Sequence, residues 1–479
     1  MNRRRRLLCL LVLSAAALPA LAEDGFSLSA TLEGRYFFEE PQHTGQPDDS
    51  LNLSFALQPE YYQEWADGAQ SFTFTGFARA DEHDDERTHA DVRELYWRSA
   101  SESFEWRVGL RKVFWGVTES AHLVDIVNQS DLVENFDNED KLGQPMLNLA
   151  WVTDFGTFDF FVLPYFRERT FPGVEGRPRP FLVIDTDQPV YESGREQKHV
   201  DGAIRYANSL GGWDLGLSYF DGTSREPRLL FAIDAVNVIP NNPPLQCQLA
   251  TDPTFGPILI GLLGPLLQPL AADCLQFFTV EPVNPHLLPA YDQIRQVGLE
   301  VQRLMEGWFL KLEAIHRDSR VQKYTAVATG FEYTWGAVFQ SPVDVSLVLE
   351  YLYDSRGPLK EDSLQGLAVR KFFAGEAFTV AEATALQNLE PESFSPFQDD
   401  IFIGSRIALN DVQSSEMLIG AIVDRETHAV LASIEGSRRL GENWKISLEA
   451  RAFHNIPVVD PLFSFDQDSV LQLELTRFF

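Results

Sequence analysis

The stretch from Ser469 to Phe479 alternates strictly. Counting back from Phe479, one register holds Arg477, Leu475, Leu473 and Leu471, and the other holds Phe478, Thr476, Glu474, Gln472 and Val470. Successive side chains of an extended chain point to opposite faces, so this is a β-strand with one apolar and one polar face. Such a strand exposes a long oily row unless lipid covers the face and a neighbour pairs each edge. Arg477 is the one departure, a cation in the apolar register. On this stretch alone, the last strand of a soluble sandwich is the competing reading.

The same alternation recurs along the chain. Phe26, Leu28, Ala30 and Leu32 share a face, as do Leu51, Leu53, Phe55 and Leu57. Phe104, Trp106, Val108 and Leu110 oppose Glu105, Arg107, Gly109 and Arg111. Further candidates bring the expected number to about eighteen strands (about 16–18) of roughly ten residues each, the length a tilted membrane strand needs. Short links (66–69, 99–103, 154–156, 208–212, 303–307, 410–414 and 439–443) alternate with long ones (115–145, 167–198, 222–292 and 355–399). Trp106, Trp213, Trp308 and Trp444 each follow a short link by one to three residues, in the apolar register. Tryptophans at matched height form an interfacial girdle. The expected fold is all-β: a transmembrane antiparallel outer-membrane β-barrel with short periplasmic turns and long extracellular loops. An even strand number places both ends in the periplasm.

Composition agrees with this reading. The chain has 479 residues, with 70 Asp and Glu against 39 Lys and Arg and a net charge of −31. That balance argues against nucleic acid as a partner, because phosphate would be repelled. Mean hydropathy is −0.16 although 44% of residues are hydrophobic. Helical membrane proteins are more apolar, whereas a barrel needs only alternate residues to face lipid. Met1–Ala22 reads as a cleaved signal peptide, with Arg3–Arg6 as charged region, Leu7–Ala17 as apolar region and Ala20-Leu21-Ala22 as cleavage site. A single barrel from 23 to 479 then follows. Cys9 leaves with the leader, and Cys247 and Cys274 are expected to pair in an oxidising compartment.

The polar registers carry both charges. Candidates to line the lumen are Arg79, Arg107, Arg111, Asp201, Arg205, Lys311 and Glu313, followed by Arg317, Glu350, Arg406, Glu435, Lys445, Glu449 and Arg451. Cross-strand pairs among them would stiffen the wall, and a ladder of them would set selectivity. Stiffening is the more ordinary role for any single residue. The run Asp81-Glu82-His83-Asp84-Asp85-Glu86-Arg87 resembles a metal cluster but reads more simply as a solvated outer loop. No metal site, cofactor or catalytic residue is expected, since neither a nucleophile elbow nor a Ser/His/Asp set stands out. The loop 222–292 contains an apolar run from Pro257 to Leu267, broken by Gly and Pro and bracketed by Cys247 and Cys274. Such a run should fold on the barrel mouth, dip into lipid, enter the lumen or form its own small core.

Several stretches resemble the domain-of-unknown-function 1302 family of proteobacterial outer-membrane proteins. They are Asp91-Val92-Arg93-Glu94-Leu95-Tyr96, Arg107-Val108-Gly109-Leu110-Arg111-Lys112-Val113-Phe114-Trp115-Gly116 and Phe166-Arg167-Glu168-Arg169-Thr170-Phe171-Pro172-Gly173, with Gly222–Pro227 and Asp400–Gly404. The terminal Phe479 is similar to the closing aromatic that barrel-assembly machinery reads. The strand number is also similar to that of porins and the alginate exporter. The resemblance implies a barrel near the handling of hydrophobic compounds or efflux, with no catalytic residues. The expected function is a channel or transporter for a small, hydrophobic or amphiphilic solute, with a loop-constricted lumen. Its expected surroundings are outer-membrane lipid and lipopolysaccharide. A sealed structural or adhesin-like barrel is the first alternative, and an outer-membrane hydrolase the second.

Overall fold

The computed structural model describes residues 25–232, 234–240, 278–387, 389–390 and 393–479. The leader, Cys247, Cys274 and the apolar run 257–267 lie outside the described residues. Eighteen strands form one sheet. They are β1 Phe26–Phe37, β2 Leu51–Trp65, β3 Gln70–Asp81, β4 His89–Ala100, β5 Phe104–Arg111 and β6 Gln144–Thr153. Next come β7 Gly156–Leu163, β8 Asp201–Leu210, β9 Trp213–Thr223, β10 Gln293–Met305, β11 Trp308–Ser319 and β12 Lys323–Trp335. The last six are β13 Asp344–Asp354, β14 Asp399–Ala408, β15 Glu416–Asp424, β16 Val430–Leu440, β17 Trp444–His454 and β18 Val470–Phe478. Each pairs antiparallel with its neighbours, and β18 closes on β1 from Ser29↔Phe478 to Phe37↔Val470. Closure leaves no open edge, which is what lets a sheet stand in hydrocarbon.

Register assigns the faces. Opposed residues of an antiparallel pair share a face, so Arg79↔Ala56, Ala56↔Thr31, Thr31↔Thr476 and Thr476↔Lys445 form one inward row. Outward residues such as Leu217, Val297, Ile403 and Leu473 are exposed apolar side chains. Inward Glu33, Asn148, Glu313 and Glu350 are buried. Oily outside and polar within is the inverse of a soluble fold and defines a transmembrane barrel of the outer-membrane kind.

The main apolar core lies inside the barrel. Trp115, Val124, Ile126 and Val127 from the β5–β6 connection pack against inward Met146, Phe161, Leu163, Phe220, Ile294 and Ile315. Hence the connection 112–143, which takes in most of the link 115–145 expected to be a long outer loop, folds into the interior and fills it along β6 to β12.

Outer connections cover the mouth. In the β13–β14 connection, helix α1 (Leu364–Ala374) is capped by Ser363, whose side chain accepts from the Gly366 amide. Its Phe373 meets Phe463 of the β17–β18 connection at 4.8 Å. Phe372 meets Phe181 of the β7–β8 connection at 5.1 Å. The described ends of loop 222–292 form antiparallel ribbons, Arg228–Ala232 with His286–Tyr291 and Ala235–Pro240 with Phe278–Val283.

Candidate functional site

Two buried glutamates of the wall hold the near half of segment 112–143. Glu313 of β11 accepts from the Val117 amide at 2.6 Å, the Thr118 amide at 2.9 Å, the Thr118 hydroxyl at 2.7 Å and the Val124 amide at 3.2 Å. Glu350 of β13 accepts from the Glu119 and Ser120 amides at 2.8 and 2.9 Å and from the Ser120 hydroxyl at 2.6 Å. A loop buried in a lumen cannot leave its amides to water, and ionised carboxylates are their strongest acceptors. Between these anchors, Glu119 accepts from Arg406 of β14 at 2.7 Å and lies 3.7 Å from Lys311 of β11.

The far half is held by a charge cluster on the opposite wall. Glu33 of β1 bridges Arg35 at 3.1 Å, Arg79 at 2.9 Å and Arg87 at 2.8 Å. Arg79 also bridges Glu134 of the segment at 2.7 Å, and Arg35 donates to the Glu134 carbonyl at 2.7 Å. Burial alone would raise the Glu134 carboxyl, but Arg79 and Arg87 outweigh it and hold it below the usual carboxylate range. Arg93 of β4 bridges Asp131 at 2.5 Å. On β17, Arg451 bridges Asp137 at 2.5 Å and Glu449 at 2.8 Å. The segment is thus tied to β1, β3, β4, β11, β13, β14 and β17, crossing the lumen from wall to wall.

The remaining candidate side chains also stand in the inward register. Asp201 bridges Arg225 at 2.6 Å, and Arg205 bridges Glu300 at 2.6 Å. Arg317 donates to Gln296 at 2.8 Å and bridges Glu226 at 2.9 Å. Burial works against the Glu226 charge, yet Arg356 and Arg317 hold its carboxyl far below the usual range. Arg107 and Arg111 donate to Asn148 at 3.2 and 3.1 Å. Lys445 lies between Arg439 and Thr476 in the ladder. Glu435 is 3.9 Å from Arg451.

Sequence reasoning missed Glu33, Arg35, Arg87, Glu119 and Glu134. The first two follow the same polar-register rule and were findable by it. The others sit in connections, where no periodicity marks a partner. A second reading is also corrected. The run 81–87 is not a solvated loop: Asp81, Glu82, Asp84 and Arg87 are buried. Arg87 turns inward to Glu33 and Asp81, and Asp84 accepts from the Gly173 amide at 3.1 Å. Burial pushes the Asp84 carboxyl up to about 6. No group of three or more His, Cys, Asp or Glu among the described residues is arranged to hold a metal.

Trp213, Trp308 and Trp444 open their strands and Trp106 is third in its own. Trp65, Trp151 and Trp335 stand at the same end, near the close of β2, β6 and β12. Phe479 donates its amide to the Leu28 carbonyl at 2.9 Å and packs, as Leu57 does, against the cluster of Ala30 and Phe55. Arg477, the cation in the oily register, lies over the rings of Phe479 and Trp444 at 4.5 and 5.6 Å.

Opposite the filled half of the barrel, a cavity of about 630 Å³ separates the segment from β14 to β18. It extends from Pro396 and Pro461 in the outer connections to Glu416, the first residue of β15. Glu416 adjoins the short turn 409–415 at the opposite end. The cavity therefore runs most of the height of the wall.

The fold and this interior define a class: a closed outer-membrane-type barrel crossed by one of its own connections. Among solved structures, a BenF-like porin from Pseudomonas fluorescens is similar at 7% identity and a TM-score of 0.44, over 95% of this chain and 98% of that one. OprB of Pseudomonas putida is similar at 11% identity and a TM-score of 0.39, over 95% and 94%. A variant of the Rh. blastica porin is similar at 10% identity and a TM-score of 0.38, over 95% and 99%. No family model matches, the domain-of-unknown-function 1302 family included, and no curated protein matches. The fold assignment rests on the ladder itself.

Proposed function

We propose that this protein is an outer-membrane channel for small solutes, its bore narrowed by segment 112–143. The observation that carries this reading is the cavity from Pro396 and Pro461 to Glu416, alongside a half that is packed shut. An adhesin-like barrel would need no such passage. The expected loop constriction is assigned to segment 112–143, on its ties to Glu313, Glu350 and Arg79. Export by a leader cleaved after Ala22, insertion through Phe479 and contact with lipopolysaccharide belong to the same reading. So does a disulfide between Cys247 and Cys274. Purified protein in planar bilayers tests it: discrete ion currents are expected, and a folded barrel that never conducts would overturn it.

A further inference from the structure

We infer that the passage selects cations, and favours organic cations that carry an aromatic or aliphatic body. This rests on the channel reading above and names its solute class. Glu416, Glu435, Glu449 and Glu474 line the passage from the wall. Glu119, Asp137 and Glu139 line it from the inserted segment. The cations on the lining are Arg406 and Arg451. Both are already engaged, Arg406 with Glu119 at 2.7 Å and Arg451 with Asp137 and Glu449 at 2.5 and 2.8 Å. Glu139, Glu416 and Glu474 have no ion-pair partner among the described residues.

Elsewhere in the interior, Glu33 is paired with Arg35, Arg79 and Arg87, Asp201 with Arg225 and Glu300 with Arg205, while Glu313 and Glu350 are held by amides and hydroxyls of the segment. A narrow bore with low-dielectric walls focuses the field of unmatched charge, raising the local concentration of counter-ions about tenfold or more. An anion meets the same field as a barrier.

A second feature lies at the outer end of the same cavity. Phe136 stacks on Phe465 with centroids 5.4 Å apart and planes 17° apart. Phe397, Phe402, Leu431 and Leu462 continue this apolar lining. Ring faces attract cations and cover apolar surface together. A solute entering from outside meets rings first and carboxylates next. That sequence suits an ammonium group on an apolar body, and it gives a carboxylate or sulfonate of the same shape no counter-charge.

The full-length protein in planar bilayers under a KCl gradient supplies the test. The reversal potential is expected to report K⁺ permeating about tenfold over Cl⁻. Glu435→Gln with Glu474→Gln should lower that ratio severalfold while the current persists. Benzyltrimethylammonium should block the K⁺ current at lower concentration than tetramethylammonium, and Phe397→Ala should narrow the difference. A current without cation preference overturns the inference and leaves the channel reading standing. Equal block by the two ammonium ions overturns the organic-cation part. An insulating folded barrel overturns the channel reading itself. Heat-modifiable migration identifies any variant that has not folded, and the unmodified protein decides the selectivity question alone.

Discussion

Replacing Glu313 with alanine should release the inserted segment without opening the wall. The carboxylate is fully buried and accepts from three backbone amides and one hydroxyl, at 2.6 to 3.2 Å. A buried donor left unpaired costs about 1–3 kcal/mol. Water entering the vacated space re-satisfies some of them, at an immobilisation cost of about 0–2 kcal/mol each. The net loss to the local stability of 112–143 is on the order of 3–6 kcal/mol. The wall depends on eighteen closed ladders, which Glu313→Ala leaves in place. Hydrogen exchange read by mass spectrometry should show faster exchange in 112–124, with β10 to β12 unchanged. Single-channel current should rise or flicker. The reasoning fails if exchange and current both match the unmodified protein, or if the barrel no longer shows heat-modifiable migration.

Three further outcomes follow from other parts of the interior. Glu33→Ala leaves Arg35, Arg79 and Arg87 buried without their shared carboxylate, which should cost about 3–5 kcal/mol and sharply reduce folded barrel. A normal yield by gel migration would show that the cluster does not matter. Leu473→Arg places a charge on the lipid face between Leu448 and Gly34, at about 2–4 kcal/mol if it sits at mid-bilayer depth, and should impair insertion. Insertion as efficient as for Leu473→Val would put the face assignment in error. The Glu139 side chain is reachable from the cavity, yet the surrounding walls, with Asp137 and Glu435 beside it, push its carboxyl up to about 7. It is neutral below that pH and anionic above, so cation preference should grow from about pH 6 to about pH 8. Glu139→Gln should flatten that dependence, and a preference that falls over the same range would refute the assignment.

The wall was legible because each strand repeats one rule, oily outward and polar inward, and because short turns separate the pairs. Glu313 and Glu350 were likewise legible as lumen residues. Their partners were not, since the donors are backbone amides of 117–120, which every sequence contains. A signal for the filled half did exist. Met146, Phe161, Phe220 and Ile315 are apolar residues in the inward register, and such residues need something to cover them. The Pro257–Leu267 run drew attention elsewhere because it is locally more apolar. The run 81–87 misled for another reason: charge density on its own does not distinguish a solvated loop from a paired one. Only the placement of Glu33 across the sheet turns Arg87 inward.

The most direct test of the account uses cysteine substitutions modified during single-channel recording, in a chain whose other cysteines are serine. Ser433 lines the passage between the segment and β16, whereas Ser218 faces inward on β9, on the packed side. A charged methanethiosulfonate should step the current down at Ser433→Cys and leave it unchanged at Ser218→Cys. Confirmed modification of Ser433→Cys with no change in current, or block through Ser218→Cys instead, would contradict a passage along β14 to β18.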